Sequence, residues 1–66
     1  MIDSKELAAL LAATKVLVVD DGHYMRKVVR TLLTSIGVRT IYEVPDGPTG
    51  LKTILTMSPD IVIVDW

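Results

Sequence analysis

Sixty-six residues, half of them hydrophobic, with a formal charge of −1 and no cysteine, suit one small domain and exclude a disordered tail. Lys and Arg are scattered, giving no basic stripe for nucleic acid and no patch for anionic lipid. The lack of cysteine excludes disulfide and thiolate chemistry and points to a reducing cytoplasm, and no run approaches the ~20 apolar residues of a membrane span.

Asp3 as N-cap, Glu6 three residues on and Ile2 placed to touch Leu7 predict a helix over residues 4–13, with Leu7, Leu10 and Leu11 as its apolar face. The apolar run 7–13 does not read as a secretion leader, because Asp3 and Glu6 precede it and Lys5 is the only basic residue before it. Lys15 to Asp20 reads as a strand buried on both faces, since four consecutive apolar residues leave no polar face for water. Met25, Val28, Val29, Leu32, Leu33 and Ile36 follow a 3.6-residue period, and Gly37 supplies a left-handed stop. A shorter strand over 38–44 ends at the turn Pro45-Asp46-Gly47. Pro48 opens a further helix with Leu51, Ile54 and Leu55 on one stripe, weakened a little by Gly50. Ser58-Pro59-Asp60 ends that helix, and Ile61 to Val64 forms the last strand.

After a leading helix (residues 1–14), residues 15–66 therefore read β-α-β-α-β, and right-handed crossovers predict a parallel sheet of order 2-1-3. Asp20 and Asp21 end the first strand and Asp65 ends the last. Adjacent parallel strands bring these three acids to the carboxyl edge of the sheet, where open α/β sheets bind ligands. Gathering three carboxylates is costly unless a divalent cation joins them or one acid stays neutral. Hard oxygen donors without His or Cys nearby suit Mg²⁺ or Mn²⁺, beside which a carboxylate can attack a phosphoryl group. The bland alternative makes Asp20 and Asp21 helix caps and Asp65 a solvated strand end. His23, Tyr24, Arg26 and Lys27 read as a solvent-facing helix start.

The run Lys15-Val16-Leu17-Val18-Val19-Asp20-Asp21, Arg26 in the next helix, Asp46-Gly47 before Leu51, and Pro59-Asp60-Ile61-Val62-Ile63-Val64-Asp65 together resemble the receiver domain of two-component response regulators. The resemblance covers residues 15–66 and implies the N-terminal half of a flavodoxin-like fold. It implies that Asp65 accepts a phosphoryl group from a histidine kinase, that Asp20 and Asp21 bind Mg²⁺ with Asp65, that Asp21 is the direct ligand, and that Asp20 acts largely through water. It also implies a cytoplasmic signalling protein that is not an enzyme. The family's further strands and helices, its switch Ser or Thr and its phosphate-contacting Lys have no counterpart in these residues. The terminal carboxylate of Trp66 stands near where the family supplies a metal-binding carbonyl, and is expected either to replace it or to repel phosphate.

Two functions of different class follow as expectations. One is Mg²⁺-dependent phosphoryl acceptance at Asp65, impaired by the absent groups. The other is a phosphotransfer-incompetent module acting by self-association, because an apolar last strand at the sheet edge predicts a homodimer by edge pairing or element exchange. A metal-dependent phosphatase fits less well, lacking a second Asp two residues past the nucleophile. A nucleotide-binding half-domain lacks a Gly-rich turn after the first strand.

Overall fold

The computed structural model describes residues 1–65. Along the chain run α1 (Ser4–Ala13), β1 (Lys15–Val19), α2 (His23–Ile36), β2 (Thr40–Val44), α3 (Gly47–Met57) and β3 (Ile61–Val64). The strands form one parallel sheet in the order β2-β1-β3, as the crossover rule predicts. This is an open α/β sheet consistent with part of a flavodoxin-like receiver fold.

β1 is the centre of the core because it alone has a strand on each side. Val16, Leu17 and Val18 are essentially inaccessible to solvent. Alternation along the strand divides the core in two. On one face Val16, Val18 and Val38 meet Leu11, Val29, Leu33, Ile41 and Ile63; on the other Leu17, Val19 and Val44 meet Tyr42. Burying each such side chain stabilises the fold by roughly 1.5–3 kcal/mol.

The helices cover this sheet less completely than their apolar periods suggest. Of the predicted stripe of α2, Val29 and Leu33 reach the core, whereas Met25, Leu32 and Ile36 are exposed. Leu11 is the residue of the α1 stripe that docks, while Leu7 and Leu10 face solvent. Thr14 alone joins α1 to β1, and Leu11, in the final turns of the helix, is its contact with the core. α3 approaches β1 through its backbone: a Cβ at Gly50 would lie 3.0 Å from Val19 Cγ2. Gly50, read from sequence as a weakness in the helix, thus permits its closest approach to the sheet.

Helix ends follow local chemistry. The Asp3 carboxylate accepts the Glu6 N–H at 2.8 Å, and Asp46 accepts the Thr49 N–H at 2.8 Å. Gly37 adopts φ 111°, and the N–H groups of Gly37 and Val38 donate to the Thr34 and Leu33 carbonyls at 3.1 and 3.0 Å. This closure engages Val38, so β2 begins at Thr40 rather than at Val38. At the opposite end of β1 the Lys15 N–H donates to Asp60 Oδ2 at 2.8 Å, the Asp60 N–H donates to the Lys15 carbonyl at 2.8 Å, and Lys15 Nζ caps the Met57 carbonyl at 2.6 Å. These contacts set the start of the β1–β3 pairing and hence the level at which both strands end.

Candidate functional site

The sheet register places the acids. Val19 pairs with Val44 on one side and Val64 on the other, so Asp20, Pro45 and Asp65 leave the sheet at one level. The Asp20 N–H extends the first ladder to the Val44 carbonyl at 3.1 Å, and the Asp65 N–H extends the second to the Val19 carbonyl at 3.0 Å. Asp20, Asp21 and Asp65 all line one pocket of about 240 Å³, with Val19, Pro45, Asp46 and Gly47 as its other walls. The structure thus brings the three acids singled out from sequence to a common cavity.

Their surroundings differ. Asp20 is buried, at 7% exposure, whereas Asp21 and Asp65 are exposed. Asp20 Oδ1 accepts the Gly22 N–H at 2.8 Å and its backbone carbonyl accepts from Arg26 Nη1 at 2.6 Å. Among the described residues no Lys or Arg forms an ion pair with any of these acids; Arg30 pairs instead with Glu43 at 2.8 Å. Among the described residues no group of three or more His, Cys, Asp or Glu is placed so that together they could hold a metal ion. Mg²⁺ keeps several waters and takes only one or two carboxylates directly, so it does not require a three-acid cluster. Asp21 and Asp65 are the exposed acids that can supply them. The expectation that Trp66 contributes its terminal carboxylate lies outside the described residues.

Asp46 is a fourth acid on this pocket, read from sequence as a turn residue and as part of the resemblance but not as a site residue. The signal that could have found it is the register of β2, whose last residue lies level with Val19 and so delivers the next loop to the acidic edge. Hydrogen bonding to Thr49, backbone first and side chain second, holds the Asp46 carboxyl below its ordinary value of 3.8. Its charge is therefore committed to the N-terminus of α3.

A parallel α/β sheet carrying an acidic pocket at the carboxyl ends of adjacent strands is the ligand-binding edge of an open α/β protein. The chain is 38% identical over 52 residues to chemotaxis protein CheY-3 of Vibrio cholerae, a match that covers 79% of this chain and 40% of that protein. It is 35% identical over 52 residues to chemotaxis protein CheY of Pseudomonas aeruginosa, covering 79% of this chain and 42% of that one. It is also 44% identical over 52 residues to a protein-glutamate methylesterase/protein-glutamine glutaminase of Symbiobacterium thermophilum, covering 77% of this chain and 14% of that protein. No family model and no solved structure matches the chain. The chain spans about 40% of the length of the CheY relatives it matches. With the fold, these matches support a receiver-domain fragment similar to the corresponding part of these proteins.

Proposed function

We propose that this chain serves two-component signal transduction by accepting a phosphoryl group at Asp65 from a histidine kinase. The observation that carries this reading is the convergence of Asp20, Asp21 and Asp65 on one pocket. An Asp65 carboxylate oxygen forms a bond to phosphorus as the bond from phosphorus to the kinase imidazole nitrogen breaks, and that nitrogen keeps the electron pair. Asp20, Asp21 and Asp65 would be the residues to hold Mg²⁺, which when bound would neutralise charge on the phosphoryl oxygens. The backbone bond from Asp65 to Val19 ties the acceptor to the rigid central strand, so its line of attack is set by the sheet. The chain is thus an acceptor and not an enzyme. No described helix is long and apolar enough to cross a membrane, and a cytoplasmic location accords with a kinase partner. Incubation with acetyl phosphate and Mg²⁺, read by intact mass, should add one phosphoryl group to the wild type and none to Asp65→Asn. Equal labelling of the two overturns the proposal.

A second reading, a self-associating interaction module without phosphotransfer, is favoured by β3. Ile61, Val62 and Val64 are exposed, and Val62 and Val64 line an apolar groove of about 210 Å³ with Val19, Gly50, Leu51 and Ile54. A homodimer paired along β3 would cover both the unpaired edge and this groove.

A further inference from the structure

Arg26 follows the acidic pair by five residues, and it is used in a way the pocket does not explain. Two helices of this chain start on an Asp cap, Asp3 for α1 and Asp46 for α3, each accepting the N–H three residues on. α2 starts instead on Gly22, which has no side chain with which to cap it. The corner between β1 and α2 is closed by two other bonds: Asp20 Oδ1 accepts the Gly22 N–H, and the Arg26 guanidinium reaches back across the first turn to the Asp20 carbonyl at 2.6 Å. With the Asp20 N–H bonded to Val44, the backbone of Asp20 is held on both sides and one side-chain oxygen is committed. Among the described residues Oδ2 takes no hydrogen bond, so it is the Asp20 oxygen left for a hydrated cation.

We infer that Arg26 is a positioning residue for the cation site, setting the placement of Asp20 and Asp21 by fastening the carbonyl between them. The inference rests on the Mg²⁺ reading above and names a residue that acts on that site without touching the ion. Arg26 gives its short bond to a neutral carbonyl and, among the described residues, pairs with no carboxylate. Its charge by itself disfavours a cation in the adjacent pocket. Position and charge therefore act on Mg²⁺ affinity with opposite sign, which lets one measurement separate them. The half-buried guanidinium also stands 3.5 Å from His23 Nδ1, so its second arm spans the helix start, a reach that a single ammonium cannot match.

The test is calorimetric titration of the 66-residue chain with Mg²⁺, each variant being measured below its own melting temperature as read by circular dichroism. Arg26→Met should weaken Mg²⁺ binding about tenfold, in the range that supporting-shell changes produce at metal sites, although a repelling charge has been removed. Arg26→Lys, which keeps the charge and is expected to fold even where Arg26→Met does not, should weaken it by about threefold. Unchanged or tighter binding in either variant overturns the inference, whatever happens to the melting temperature. If Asp21→Asn abolishes binding while the Arg26 variants keep wild-type affinity, the inference fails alone and the Mg²⁺ site stands. A wild type that takes up no Mg²⁺ overturns both.

Discussion

Asp46 shows how one residue can serve the fold and border the site at once. Its carboxylate holds the first turn of α3 through the Thr49 N–H while lining the acidic pocket. Because its folded pKa lies below the unfolded 3.8, the stability it contributes is present above that value and is lost as pH falls through the lower folded value. Asp46→Ala should therefore melt below the wild type at neutral pH, and the gap should close in strong acid; a gap independent of pH would contradict the assignment. Asp20 divides its groups differently, committing backbone and one oxygen to the fold and leaving one oxygen for chemistry. Among the described residues Asp65 commits only its backbone N–H. A main chain fixed by the sheet accords with the acceptor role proposed for it.

At the scale of elements, the contact each helix makes is decided by how it is tethered. α1 hangs from β1 by Thr14, and Leu11 is its residue in the core. Leu11→Ala should cost about 2 kcal/mol in urea unfolding and Leu7→Ala less than about 0.5 kcal/mol, although both lie on the same apolar stripe. Equal costs would mean that α1 docks along its whole length. α3 meets β1 through a glycine, and the sign of its substitution separates two effects. Ala is the better helix former by about 1 kcal/mol, but its Cβ would press on Val19 at 3.0 Å, and Val19 is fixed in the central strand. Gly50→Ala should therefore destabilise by about 1 kcal/mol net. A stabilised variant would show that α3 can lift from the sheet.

For the whole molecule, the radius of gyration of 12.5 Å exceeds the roughly 11 Å expected for a compact chain of this length. The excess accords with a projecting α1 and with three helices that leave much apolar surface open. The groove between α3 and β3 is part of that surface, and it is where self-association is expected. Sedimentation over a range of concentrations should show a dimer that Val62→Lys converts to a monomer, since a charge on the strand edge blocks pairing. A wild type that sediments as a monomer throughout removes the second functional reading.

The order of elements, the parallel 2-1-3 sheet and the acidic ends of β1 and β3 were legible from sequence, because each is written in short-range signals. An apolar run ended by Asp, a 3.6-residue period stopped by Gly37, and the right-handed crossover leave little freedom at the level of topology. Which stripe residues become core was not legible: Leu11, Val29 and Leu33 dock while Leu7, Leu10, Leu32 and Ile36 do not. Nor was the place of Asp46 in the pocket, or the grip of Arg26 on the Asp20 carbonyl. Periodicity states only which side of a helix is apolar. The distance from helix to sheet, and the level at which neighbouring strands end, depend on tethers and ladder register between residues far apart in the chain, and these exist only once the sheet has formed.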